Sequence, residues 1–452
     1  MAVVAGISLT RIANEVTQDT WLSLLAGRSI VDSGLHHAPL TWWSSGESWV
    51  DQQWLARLAF YGLYSVGGLV LVCLFGVAAA STALASAITY ARRRGATARS
   101  VAWIIAVSAL PFFVGAGNIR TQIVVLPLFV AIFTLLLRDH EHPSRRVFLV
   151  LPLVAVWANL HGSVVVAAAL VVARAAVGFR MPIARRRSAA LAAGGIVACF
   201  VTPYGFEIFG YYRRTLLNPS FHSYVSEWRP LQLGLRTAPI MFLAGASIWL
   251  IARHSRRLGA VAVVAQLLLI VLSLAAVRSA VWLGLASIMV LPPALDAELK
   301  HRELTNRRIN RAIGAFGCAF AFLALLALVS RGTAALTRAF SASAGDLVAR
   351  EAGSNARVFA DERYADWLMF QHPSLVGRLG YDASFEQLSA KQVLKIIKWK
   401  DVIGSEWDAA TRGAKVVVLS LPTGKAVARA YRHDHALRQL YRDHRIAVYA
   451  RR

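Results

Sequence analysis

Acidic residues are scarce in this chain. Its 452 residues hold 24 Asp and Glu against 49 Lys and Arg, and charged residues of both signs make up only 16%, where a soluble globular domain carries about 25%. Cysteine is nearly absent as well. Cys73, Cys199 and Cys318 all lie in apolar stretches without a C-x-x-C pair, which excludes a disulfide framework and leaves no zinc-site spacing. No repeat of solenoid type is present, and the composition excludes collagen, low-complexity disorder and a coiled coil. What is abundant is apolar: 57% of residues are hydrophobic and the mean hydropathy is +0.51. So few charges and so much apolar surface describe a membrane protein.

A helix needs roughly 20 apolar residues to cross a bilayer. Apolar stretches that meet or approach this length occur at 68–90, 100–115, 123–137, 147–158, 163–179, 188–202, 238–252, 259–277, 279–294 and 312–330. The expected architecture is an α-helical polytopic membrane protein with about 10–11 transmembrane helices. Its organisation is expected as an N-terminal segment with a first external loop (1–57), a helical membrane domain (58–330) and a small C-terminal α/β domain (345–452).

The excess of 49 basic over 24 acidic residues, a formal charge of +25, would in a soluble chain suggest nucleic acid. Its placement argues otherwise. Nineteen of the basic residues fall in alternate connections: Arg92, Arg93, Arg94 and Arg99; Arg138, Arg145 and Arg146; Arg180, Arg185, Arg186 and Arg187; Arg253, Arg256 and Arg257; Lys300, Arg302, Arg307, Arg308 and Arg311. The intervening connections hold only Arg120, Arg213, Arg214, Arg229, Arg236 and Arg278. Basic residues in short loops remain cytoplasmic, so the first set is expected inside and the second outside, with the C-terminal domain extracytoplasmic and no nucleic acid as partner. Residues 1–18 are barely long enough to span and contain Arg11, Asn14 and Glu15. The expectation is either a short, marginal first helix or, preferred, a first helix whose true start lies upstream of the chain.

Beyond residue 345 the pattern alternates. Strands are expected at 356–360, 375–379, 415–421 and 445–450, and helices at 362–371, 385–399 and 426–443. Alternating elements imply a small sheet with helices packed on it. With no G-x-G-x-x-G after a strand and no P-loop, a nucleotide site is not indicated.

Ionisable and polar groups at membrane helix ends are costly, so they are functional candidates. Here they share one side: Asp19, Arg28, Trp49, Asp51, Trp54, Arg120, Gln122, Asn159, His161, Glu227, Trp228 and Arg278 all fall in the external connections. Within the membrane stretches the clearest ionisable residue is Arg174. Five of the 13 Trp lie in residues 19–57, either as an interfacial belt or as flat faces that stack on a sugar ring.

The motifs Asp19-x-Trp21, Gly46-x-x-Trp49-Val50-Asp51-x-x-Trp54-Leu55, Arg120-x-Gln122, Trp157-Ala158-Asn159-Leu160-His161-Gly162, Thr202-Pro203-Tyr204-Gly205, Glu227-Trp228-x-Pro230 and Arg278 stand in order along nearly the whole chain. In this the sequence resembles the GT-C superfamily of multi-pass membrane glycosyltransferases, and within it a bacterial group. The resemblance implies transfer of a sugar, hexosyl or pentosyl, from a polyprenyl-phosphate donor to an external glycan, lipid or protein acceptor at the cell membrane and envelope.

Carried onto these residues, Asp19 takes the place of the first-loop aspartate that accepts the acceptor's hydroxyl proton. Arg120 and Arg278 offer planar guanidinium forks to the lipid phosphate. Asn159 and His161 would bind sugar hydroxyls or exchange a proton, and Glu227 with Trp228 would pair a carboxylate with a stacking face. Arg28, Trp49, Asp51, Trp54 and Gln122 complete the substrate-binding set. The sequence departs from the group's pattern at His36-His37-Ala38-Pro39, where an acid is common, and at Thr202, where Asn is. A single-carboxylate mechanism without a metal is therefore preferred, a divalent metal being the other option. The alternative function is a non-catalytic membrane scaffold or a transporter of lipid-linked glycans.

Overall fold

The structure, a computed structural model, describes residues 7, 10, 16–36, 40–45, 50–179, 184–216, 226–235, 237–300 and 307–452. The N-terminal segment with Arg11, Asn14 and Glu15, and with it the question of a first span, lies outside the described residues. The chain divides into two compact units. One comprises Met1–Asn14, Val70–Phe209 and Phe221–Arg331; the other comprises Glu15–Leu69, Gly210–Ser220 and Gly332–Arg452.

The described helices, in chain order, are α1 (Gln18–Ser33), α2 (Trp54–Arg93), α3 (Ala98–Ala116), α4 (Leu126–Glu141), α5 (Val150–Leu160), α6 (Val164–Phe179), α7 (Arg185–Ala198), α8 (Glu207–Leu216), α9 (Ala238–Leu258), α10 (Ala260–Ala275), α11 (Ala280–Val290), α12 (Pro292–Leu299), α13 (Arg307–Leu336) and α14 (Ala342–Ala352). Every apolar stretch singled out in the sequence overlaps at least one of them, but 279–294 is split between α11 and α12, and 188–202 outruns α7, which ends at Ala198. Three of these helical segments are long and apolar enough to cross a membrane: Trp54–Arg93, Thr121–Glu141 and Gly314–Leu336. A fourth candidate is the pair Val277–Val290 and Pro292–Leu299, bent by 55°. Only 11% of the apolar window in Gly314–Leu336 is buried by protein, the exposure of an apolar helix whose natural surroundings are lipid.

The helical unit is held by small residues and a few polar links, as membrane helices are. Helix α6 packs along α7 at Gly195, where an added Cβ would come 2.7 Å from Val171 Cγ1. Helix α11 is buried on every side, with Trp282 between Trp157 and Phe129 at ring distances of 5.2 Å. The buried Gln266 amide of α10 donates to Ser287 Oγ at 2.6 Å and Ser247 Oγ at 3.2 Å, tying α9, α10 and α11 together.

Arg174, which the sequence places mid-membrane, belongs to the basic end of this unit. Its Nη2 donates to Asp139 Oδ2 at 2.7 Å, and the same carboxylate receives Arg187 and the backbone N–H of Ser144. A long arginine stem lets the head group leave the depth of its Cα.

The second unit is built around a four-stranded sheet of order β1-β2-β4-β3, with β1 Val358–Ala360, β2 Val416–Ser420, β3 Leu437–Arg442 and β4 Ile446–Arg451. β1 and β2 are parallel, and the other neighbours are antiparallel. β2 is buried throughout. Helices α15 (Glu362–Gln371), α16 (Ala390–Asp401) and α17 (Lys425–Ala430) complete the fold.

Three expectations need correction. The stretch 375–379 is not a sheet strand: Pro373 opens a 3₁₀ turn and Gly377 has φ 77°, so only a single bridge, Val358 to Leu379, forms. The helix expected at 385–399 starts at Ala390, where Ser389 and Gln392 form a capping box. The helix expected at 426–443 stops at Ala430, and residues 437–442 form β3. Asp443 Oδ1 accepts the N–H groups of Arg445 and Ile446 and so closes the β3–β4 turn, which is local side-chain competition against a helix.

The Trp-rich stretch serves this unit as packing. Trp21 is 1% exposed between Phe340 and Phe370. The backbone of Trp42 and Trp43 donates to Leu379 O and Gly380 O. The Trp43 ring lies 5.4 Å from Phe359 and stacks on Tyr381, while Arg357 covers Trp42 at 4.7 Å.

Candidate active site

In the helical unit the structure brings together four residues singled out from sequence. Arg120 stands at the entrance to a 3₁₀ turn, Thr121–Val125, that starts the α4 segment. Its guanidinium meets the Glu227 carboxylate with both terminal nitrogens, Nη1 to Oε2 at 2.7 Å and Nη2 to Oε1. Arg278, in the short turn Val277–Ser279, lies 4.4 Å above the ring of Trp228. The turns carrying 226–228 and 277–279 pack together, and Val277 N–H donates to Arg229 O.

Burial by itself would raise the pKa of Glu227, but the Arg120 fork, reinforced by Arg278, holds it below the usual carboxylate range. The arrangement is two guanidiniums and an aromatic face around one carboxylate. A carboxylate and a phosphate oxygen pair accept the same bidentate fork.

Other candidates of this unit have local tasks. The side-chain amide of Asn159 donates to Ala155 O and Val201 O, both at 2.8 Å, which links the end of α5 to the turn after α7. His161 Nδ1 accepts the N–H of Ser163 at 3.0 Å and lies 2.8 Å from Ser163 Oγ. An Nδ1 that accepts a backbone N–H leaves the neutral ring's proton on Nε2. Gln122 is 2% exposed inside the 3₁₀ turn.

In the second unit, Asp19 occupies the first turn of α1 and is partly buried. Helix α1 packs on α15, which brings Asp19 within electrostatic reach of the fully buried Asp366. Asp366 Oδ2 accepts the N–H of Ala383 at 3.1 Å. Burial first, then the neighbouring Asp382 and Asp19, push its carboxyl well above the usual range. Asp382, also raised by burial, accepts the N–H of Ser384 at 2.8 Å. Burial lifts Glu386 to about 7.

One cation faces several of these acids. Arg57, 2% exposed, pairs with Asp51 at 3.0 Å and also faces Asp382 and Glu386. Asp51 therefore anchors the start of α2, where its Oδ1 also accepts the N–H of Gln53. Arg28 caps the end of α15, donating to Phe370 O at 2.9 Å and Met369 O at 3.0 Å with its guanidinium over the Phe370 ring. Trp54 begins α2, half-buried, and Trp49 lies outside the described residues. Chemically, Glu386 can hold a proton close to neutral pH, and burial pushes Asp366 and Asp382 in the same direction. Sequence reasoning missed Asp366, Asp382, Glu386 and Arg57. A signal was present at Asp366, the only acid in the wholly buried run Tyr364–Phe370, since a fully buried carboxyl is rare.

Among the described residues no group of three or more His, Cys, Asp or Glu is arranged to hold a metal ion.

No protein-family model and no curated protein sequence matches the chain. Solved structures match it in fold. ArnT from Cupriavidus metallidurans in the apo state is 16% identical with a TM-score of 0.54, over 99% of this chain and 96% of that one. The same protein bound to undecaprenyl phosphate matches at 15% identity, TM-score 0.54 and the same coverage. The archaeal oligosaccharyltransferase AglB from Archaeoglobus fulgidus, in complex with an inhibitory peptide and a dolichol-phosphate, is 12% identical with a TM-score of 0.49, over 93% and 69% of the two chains. The likeness to ArnT runs the length of both chains, and the fold is GT-C-like, that of a polytopic membrane protein.

Proposed function

We propose that this protein is a GT-C-like membrane glycosyltransferase that moves a sugar from a polyprenyl-phosphate donor to an extracytoplasmic acceptor. The observation that carries the reading is the end-to-end fold likeness to ArnT, one of whose structures holds undecaprenyl phosphate. Its chemical support is the Arg120, Glu227, Arg278 and Trp228 group. In this reading the donor phosphate takes the Arg120 fork in place of Glu227, and Arg278 adds a second cation to the leaving phosphate. The acceptor oxygen bonds to the anomeric carbon while the carbon–oxygen bond to phosphate breaks. Asp19 takes the hydroxyl proton, and the buried acids behind it keep that side chain's surroundings fixed. The alternation of basic loops supports an extracytoplasmic C-terminal domain and about 10–11 spans.

The test is Asp19→Asn in cells, compared with a deletion strain and with wild type, with lipid-linked sugars and envelope glycans profiled by mass spectrometry. The variant is expected to be present in membranes at wild-type amounts and to reproduce the deletion profile. A wild-type profile beside a changed deletion strain removes Asp19 as the base; unchanged profiles in both remove the enzyme.

A further inference from the structure

The helical unit holds a second polar place, at the other end of α11 from Arg278 and unused by the proposed chemistry. A cavity of about 250 Å³ opens where several helix ends converge. Its floor is apolar, formed by Leu137 of α4, Ala262 of α10, and Met289 and Val290 of α11. Its mouth is charged in both senses: Arg94 and Arg257 with Tyr90, against Glu141 and Asp296. This is the basic end of the helices, next to Arg92, Arg93, Arg138 and Arg256, the level at which arginines meet lipid headgroups.

The lining discriminates among ligands. Glu141 is paired with Arg94, and Asp296 accepts the N–H of Thr97 at 2.7 Å and also its hydroxyl. Arg257 has one long contact of 3.4 Å, to Pro293 O, so its guanidinium is the cation with donors to offer. Arg94 and Arg257 against Glu141 and Asp296 leave the lining without net charge, which disfavours a ligand with two negative charges and suits one that carries both signs itself. The volume falls below the roughly 300–1,000 Å³ of pockets that enclose a drug-sized ligand, which suits a headgroup and not a whole nucleotide. Charged groups beside an apolar lining at the arginine-rich helix ends suit a lipid.

We propose that this cavity binds the headgroup of a zwitterionic phospholipid, its phosphodiester on Arg257 and its primary ammonium toward Glu141 and Asp296. The ligand chemistry is that of phosphoethanolamine.

The full chain, purified in detergent, is to be titrated with phosphatidylethanolamine, phosphatidylglycerol and soluble glycerophosphoethanolamine and read by native mass spectrometry. Phosphatidylethanolamine is expected to be retained above phosphatidylglycerol. Arg257→Ala, an exposed position whose truncation leaves the core intact, is expected to weaken that retention about tenfold, the loss of one charge-assisted contact. Arg256→Ala removes the same charge next door without touching the cavity and is expected to leave retention unchanged. Equal losses in the two variants, or no loss in either, overturn the site. Retention of both lipids alike overturns the zwitterionic assignment, and binding of glycerophosphoethanolamine without the lipid overturns the lipid source.

Discussion

Glu386 offers a quantitative test of the buried acid group in the second unit. Its carboxyl titrates near about 7 in the fold against 4.5 in a free chain, because burial outweighs its own backbone N–H and the Arg57 guanidinium, while Asp382 and Asp51 add to the upward push. Between those two values the folded state binds the proton and the unfolded state does not. Stability therefore falls as pH rises from about 4.5 through about 7, and levels off above. Over pH 5 to 8 a shift of this size corresponds at most to about 2.5 kcal/mol. Glu386 is partly exposed, and solvent screening brings the expected slope to about 1–2 kcal/mol. Glu386→Gln keeps the shape and removes the titration. The variant should match wild type near pH 5 and exceed it at pH 8 by roughly 3–6 °C in thermal unfolding, at a few degrees per kcal/mol for a unit of this size. Glu406→Gln, at an exposed acid that Arg412 holds below the usual range, should leave the pH profile over this window unchanged. A difference between Glu386→Gln and wild type that is constant from pH 5 to 8 would refute the assignment.

Gly27 lies where α1 crosses α2, and an added Cβ would fall 2.3 Å from Arg57 O and 2.7 Å from Tyr61 Cβ. Gly27→Ala should cost about 1–3 kcal/mol or more, seen as a lowered melting temperature; a change within about 0.5 kcal/mol would mean that the helices do not approach so closely. Helices α2 and α13 break at Gly68 (φ 62°, ψ −163°) and Gly332 (φ 60°, ψ −158°), where a Cβ would meet nothing within 4 Å. Alanine at either site should therefore be destabilising through the backbone alone, by about 1–3 kcal/mol. Gly62→Ala and Gly314→Ala, equally open but lying in the helix interiors, should stabilise by about 0.5–1 kcal/mol; the same sign at all four positions would contradict the breaks. Finally, Glu227→Gln and Arg120→Ala should move polyprenyl-phosphate affinity in opposite directions, about tenfold each, in a titration followed by native mass spectrometry. Weakening in both would show that Glu227 recruits the ligand instead of competing with it.

The helices were legible because apolar length is the strongest signal a membrane chain carries, and each stretch read from hydropathy is largely helical; the break of 279–294 at Leu291, before Pro292 and Pro293, was not read. The sheet was less legible. Residues 437–442, Leu-Arg-Gln-Leu-Tyr-Arg, fit a helical stripe about as well as a half-buried strand, and only the hairpin with β4 decides between them. At the site, Arg120, Glu227, Trp228 and Arg278 were legible as polar residues at helix ends. Their pairing was not, because Arg120 and Glu227 are 107 residues apart. For Trp21, Trp42 and Trp43 of the Trp-rich stretch, the packing partners were not legible. Composition reports how many flat rings a segment carries, and not whether a sheet domain more than 300 residues later presents Phe359 and Tyr381 to receive them.

Scarcity of acids also acquires a structural meaning. In the helical unit four of them stand among the basic loops and hold them. Asp139 joins Arg174, Arg187 and Ser144; Glu141 holds Arg94; Glu298 holds Arg253 and His254; Asp296 fixes Thr97, which caps α3. Loops that read as orientation signals are thus also the ends at which neighbouring helices are tied together. A loop arginine with a carboxylate partner is constrained, whereas Arg257, in the cavity lining with a 3.4 Å contact to Pro293 O, keeps donors to offer. That division, and not the formal charge of +25, determines where this chain can attract an anion. Away from those loops, the same scarcity makes Glu227 conspicuous: one carboxylate beside Arg120 and Arg278 leaves a group of net positive charge, which is why removing that carboxylate and removing Arg120 are expected to act in opposite directions on an anion.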